Sequence, residues 1–184
     1  VLKIEVLALL PRAPYGVISN RHGKGALPGE FPENNGPTGG ASVQQPELYN
    51  NVSVFTEIEE VGGERYSILY NRNGEEIRFV IAPFMGIMGV APNTGETVNS
   101  IPPAAYGGNL DINELGVGST LYLPIQVPGA FFYTGDPHYA QGDGEVALTA
   151  LEAPLRATLG PPYGGSSSSP SVRAAGWGAT PSRE

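Results

Sequence analysis

The segment Phe79–Val90, FVIAPFMGIMGV, constrains the fold most, because it is almost continuously apolar yet broken by Pro83, Gly86 and Gly89. Proline and two glycines at that spacing exclude a long helix and favour buried, extended backbone in close contact with its neighbours. The flanking sequence reads the same way. In VLKIEVLALL, Leu2, Ile4, Val6 and Ala8 alternate with Lys3, Glu5 and Leu7, the period of a half-buried strand. Ser53–Glu60 interleaves apolar and polar residues. Arg65–Tyr70 and Ile77–Ile81 flank Asn71-Arg72-Asn73-Gly74, and an Asn-Gly pair between apolar runs signals a hairpin because both residues tolerate positive φ. Leu121–Val127 and Ala130–Tyr133 read as strands separated by Pro128-Gly129. Asp111–Leu115 fits one short helical turn closed by Gly116, whereas Glu145–Leu155 fits strand or helix on pattern alone. The expected class is mainly β, a jelly-roll-like β-sandwich with long loops.

Composition narrows the function. A chain of 184 residues with 40% hydrophobic content is long enough to bury a core. A formal net charge of -8 argues against nucleic-acid binding, which needs a basic face. With no cysteine there is no disulfide framework, thiolate metal site or cysteine nucleophile. No apolar run approaches the roughly 20 residues that span a bilayer, and no export pattern is visible, so no membrane partner is expected and the location expected is cytoplasmic. Asn51-Val52-Ser53 fits a glycosylation triplet of the kind common by chance.

Chemistry concentrates in Gly135–Glu145, GDPHYAQGDGE, which carries one of the two histidines and three carboxylates. Crowding Asp136, Asp143 and Glu145 is unfavourable unless a cation, a shared proton or backbone amides offset the like charges. On a strand Asp136 and His138, two residues apart, project to one face and can meet one ion, with Pro137 stiffening the backbone between them. Asp143 and Glu145 repeat that spacing across Gly144. Glu145 opens an apolar segment where burial would raise its pKa towards the range useful for acid/base work, while Asp143 equally suits a ligand or a loop cap. In YGGNLDI, Tyr106–Ile112, two glycines permit close backbone approach, Asn109 offers a donor for an oxyanion or a turn, and Asp111 adds a carboxylate. The HGKG run at His22 lacks the upstream glycine and following Ser/Thr of a phosphate loop. The tail's GGSSSS has no lysine nearby to serve a serine amidase mechanism.

MGVAP (Met88–Pro92), YGGNLDI, LYLPIQVPGAFF (Leu121–Phe132) and GDPHYAQGDGE, in that order and spacing, together with NRHGKGALPGEFP around His22, resemble the acetamidase/formamidase family over roughly Val1–Leu159. The resemblance implies a hydrolase that converts short linear amides to carboxylate and ammonia. It implies a strand at Glu145–Leu155 and a fold that is part of a larger β-rich α+β enzyme. The expected cofactor is a divalent metal, zinc first and calcium as the alternative, held by His138, Asp136, Asp111 and Asp143. Glu145 and Asn109 are the expected catalytic groups, and His22, Tyr106 and Gly108 the substrate-binding ones. Several family members have histidine where this chain has Tyr106, so no ligand role carries over there. A small-molecule amide and a homo-oligomer are the expected partners. The reading takes 1–159 as a partial family domain, lacking N-terminal and C-terminal portions, and 160–184 as a low-complexity tail, disordered or out of frame. The alternative reading is a non-catalytic β-sandwich fragment that uses the same loop for structural metal or ligand binding.

Overall fold

The computed structural model describes residues 1–30, 51–71, 73–160 and 172–175, and among these every regular element is a strand. The chain is mainly β, as the alternation required. Two compact units form, one from Val1–Arg12, Pro83–His138 and Pro154–Glu184, the other from Ala13–Ala82 and Tyr139–Ala153.

The first unit holds β1 (Leu2–Pro11), β6 (Phe84–Gly89), β7 (Gly107–Asn109), β8 (Thr120–Leu123), β11 (Leu155–Leu159), β12 (Val172–Ala175) and the start of β9 (Tyr133–Ala140). One antiparallel sheet runs β12-β11-β1-β8. Leu2, Ile4 and Val6 are buried as the alternation predicts, but Ala8 is not; Leu9 is buried instead. The cause is a register shift between Val6 and Ala8 against β11, which moves the inward face by one residue. A second run pairs β9 with β6 and β6 with β7. The apolar segment that closes on Val90 is the centre of this unit: Phe84, Met85, Met88 and Val90 are buried.

The second unit orders its strands β5-β4-β3-β2-β10, from β2 (Tyr15–Arg21), β3 (Asn51–Val61), β4 (Glu64–Tyr70), β5 (Glu76–Val80) and β10 (Leu151–Glu152). The expected hairpin joins β4 and β5. Its loop is shaped by Asn71, whose side-chain oxygen accepts from the Asn73 and Glu75 amides, and by Gly74 at φ 79. Asn73 does not share the positive φ. Thr56 and Ser67 are buried side by side, the Ser67 hydroxyl donating to Thr56 Oγ1 at 2.7 Å. Tyr139 is fully buried, its hydroxyl donating to the Ala13 carbonyl and accepting from the Ala13 amide, both at 3.0 Å.

Four expected elements differ. β8 ends at Leu123 because Pro124 has no N–H to continue the ladder. Ala130 and Phe131 stand at φ 58 and 48, in a turn and not in the expected strand Ala130–Tyr133. Asp111–Leu115 forms a turn closed by the Leu115 amide on the Ile112 carbonyl, with Asp111 itself at φ 47 and no helix. Within Glu145–Leu155 only Leu151–Glu152 is a strand before β11 begins at Leu155; Leu148 at φ 69 breaks the extension. Within the segment 160–184, Val172–Ala175 pairs with β11, and 161–171 and 176–184 lie outside the described residues.

Removing one partner of the buried Thr56–Ser67 hydroxyl pair is expected to cost about 1–3 kcal/mol, because the other is left unsatisfied. In a denaturation series, Ser67→Ala and Thr56→Val should each destabilise, and the double variant should lose less than the two singles combined. Strict additivity would contradict the pairing.

Candidate functional site

The site in the first unit is assembled by the pairing of β6 with β9. Phe84 opposes His138, Met85 opposes Pro137 and Ile87 opposes Gly135, so Gly86 faces Asp136. The turn after β7 is tied to the same strand: the Leu110 and Asp111 amides both donate to the Gly86 carbonyl, at 2.9 and 3.0 Å. Asp111 and the neighbouring pair Asp136 and His138, distant in sequence, therefore meet over one glycine.

His138 is fully buried, and its ring meets Phe84 edge-on, with centroids 4.8 Å apart and planes at 86°. That contact fixes the imidazole plane. His138 Nε2 lies 3.3 Å from Asp136 Oδ1. An Asp111 carboxylate oxygen comes within 4.8 Å of a His138 ring nitrogen, close enough for both to reach one ion. Burial pushes the Asp111 carboxyl above the ordinary carboxylate range; His138 opposes that shift and the like charge of Asp136 adds to it. An imidazole nitrogen beside two carboxylates is a donor set that zinc and similar divalent ions accept, so the residues fit the metal expected from the sequence.

Three of the expected residues gather elsewhere. Tyr106, Gly108 and Asn109 line a recess of about 170 Å³ together with Ile87, Pro92 and Tyr133. Ile87 and Gly86 alternate along β6, which puts this recess on the strand face opposite Asp111, Asp136 and His138. The Asn109 side-chain amide donates to the Ile101 carbonyl at 3.2 Å, the turn-stabilising use and not one aimed at the histidine. Sequence reasoning did not single out Tyr133, whose ring lies so close to Gly89 that a Cβ there would sit 2.5 Å from its hydroxyl. Burial, then the neighbouring Tyr106, raises the Tyr133 hydroxyl pKa. The signal available was Gly89 itself, a glycine within a buried strand.

The second unit holds His22, Asp143 and Glu145. His22 follows β2 and is buried, and its turn docks on the Glu145 loop: the Ala26 amide donates to the Val146 carbonyl at 2.8 Å, and a Cβ at Gly25, which stands at φ 77, would collide with that carbonyl. Glu145 is half-buried, whereas Val146 and Leu148 of the apolar segment after it are exposed. Asp143 is exposed, and both residues lie in a looped stretch, so the same-face argument of a strand does not govern them.

Fold and donor set define an antiparallel β protein with a buried imidazole–carboxylate site. Residues 94–159, which contain Asp111, Asp136, His138 and Glu145, match the Acetamidase/Formamidase family. The chain is 43% identical over 53 residues to the formamidase of Methylophilus methylotrophus, covering 29% of this chain and 13% of that one. It is 45% identical over 47 residues to the acetamidase of Mycolicibacterium smegmatis, covering 26% and 12%. The crystal structure of acetamidase from Bacillus halodurans aligns with a TM-score of 0.62 at 30% identity, over 86% of this chain and 43% of that one. The resemblance read from the motifs is thereby shown, and the chain spans less than half the length of the relatives it matches. No helix among the described residues is long and apolar enough to cross a membrane.

The raised Asp111 pKa has a measurable sign. In the folded state the proton is held more tightly than in the unfolded chain, so ionising Asp111 costs stability above the ordinary carboxylate pKa and costs nothing below it. In chelator, the stability of Asp111→Asn relative to the natural chain should therefore improve as pH rises above the ordinary carboxylate pKa of about 4. A difference constant with pH would contradict the assignment.

Proposed function

We propose that this chain carries the metal and proton-transfer residues of an amidase that hydrolyses short linear amides, of the formamide or acetamide class, to carboxylate and ammonia. The observation that carries the reading is the convergence of Asp111, Asp136 and His138 over Gly86, within the span that matches the family. These three residues would hold a divalent ion. Zinc suits them better than calcium, which prefers an all-oxygen shell, because one donor is an imidazole. When bound, such an ion polarises the amide carbonyl and lowers the pKa of a coordinated water.

The chain's own groups then have separate tasks. Phe84 keeps the imidazole plane fixed, so His138 presents a ring nitrogen without rotamer freedom. Asp136 divides its oxygens, one towards His138 Nε2 and the other towards Gly86. Glu145, in the second unit, is assigned the acid/base role that the resemblance implies, the movement of one proton that lets ammonia leave. That role rests on its half-buried place in the loop and on the resemblance. Asp143, being exposed, is assigned the loop and not the metal. Tyr106 and Gly108, with Tyr133, line a neutral recess on the opposite face of β6 and are therefore not assigned to the amide at the ion, and Asn109 shapes the rim of that recess. His22 supports the Glu145 loop through the turn that docks on Val146.

The test is ammonia release from formamide and acetamide by the metal-loaded protein. Loss of a general acid/base costs about 10²–10⁴-fold, so Glu145→Gln should reduce turnover by that order, and His138→Ala should abolish both turnover and metal retention. Chelation should stop the reaction and zinc restore it. An unchanged rate in Glu145→Gln, or no ammonia from any short amide, would contradict the proposal.

A further inference from the structure

Gly86 is a glycine that its backbone does not require. Its φ lies outside the left-handed region, unlike Gly107, Gly108 and Gly129, so any residue could adopt its conformation. It stands inside a buried strand between Met85 and Ile87, where glycine weakens pairing and leaves no side chain to pack. What a side chain would meet there is unusual in kind. A Cβ would lie 2.6 Å from Asp111 Oδ1, 2.8 Å from Asp136 Oδ2 and 2.8 Å from His138 Cε1, the ring carbon between the two imidazole nitrogens. At Gly16, also free of positive φ, the obstructing atoms belong to the apolar side chain of Leu151, which is ordinary core packing. At Gly86 they belong to the carboxylates and imidazole of the site.

We infer that Gly86 is the positioning residue of the metal centre: its missing side chain is the space into which Asp111, Asp136 and His138 converge, and a single methyl group there drives the donors apart. The inference rests on the proposed metal-binding reading of those three residues and adds a fourth residue that ligates nothing. Because three groups would have to give way to one methyl, and His138 is held by Phe84, the displacement falls on the two carboxylates. The ion would then lose oxygen donors while keeping the imidazole.

Zinc binding measured by calorimetry on the natural chain, Gly86→Ala and Gly135→Ala tests this. Gly135 is the control, one residue from Asp136 on the same strand, with open space where its Cβ would be. Gly86→Ala is expected to bind zinc about 10–100-fold more weakly, the range seen when residues that orient ligands are changed, with Gly135→Ala unchanged. Cobalt substitution should show an altered visible spectrum in Gly86→Ala only, a change that a general loss of stability would not produce. Equal zinc affinity in all three proteins overturns the role of Gly86. Absence of zinc binding by the natural chain overturns the underlying metal reading instead. Should Gly86→Ala fail to fold, the triple variant Gly86→Ala/Asp111→Ala/Asp136→Ala removes both obstructing carboxylates and should regain the natural circular dichroism; no recovery overturns the inference.

Discussion

The antiparallel contact of β6 with β9 is the interaction on which the site depends. It brings Phe84 opposite His138 and Gly86 opposite Asp136, and the Gly86 carbonyl then receives the two amides that bring in Asp111. A slip of one residue in this register would turn every side chain of β9 to the other face. The register is held by the buried side chains of Phe84, Met85 and Met88, whose loss would each cost about 2–5 kcal/mol. Core packing and site geometry are thus one constraint and not two.

That constraint maintains an electrostatic conflict. Two carboxylates approach one point beside a fully buried imidazole, and burial raises the Asp111 pKa while Asp136 raises it further. Folding tolerates such crowding when something returns the cost, and the charge of a divalent cation would do so. The same arrangement that disfavours ionised Asp111 in the ion-free protein would favour it in the presence of the ion.

Much of this was legible in the sequence. Alternation found β1 and β3, the Asn-Gly pair found the hairpin of β4 and β5, and the broken apolar run located the buried strand β6, because period and turn-residue placement are local properties. The spacing of Asp136 and His138 gave a pair that the structure keeps together. What failed was also physical. A bulge in β1, left-handed Ala130 and Phe131, and Pro124 at the end of β8 depend on tertiary pairing that no short window contains. Asn109 and Asp111 sit two residues apart in YGGNLDI yet serve opposite faces of β6, because Asp111 turns at φ 47. Asp143 repeated the spacing of Asp136 and His138 without the strand that gives the spacing its meaning.

On this reading Asp111, Asp136 and His138 hold one metal ion. Anomalous scattering from a crystal grown with zinc tests it most directly. The account predicts a single strong peak bounded by these three side chains, about 2.0–2.2 Å from a His138 ring nitrogen and from carboxylate oxygens of Asp111 and Asp136. A peak ligated by other residues, or no peak at this position in crystals that hold zinc elsewhere, would contradict it.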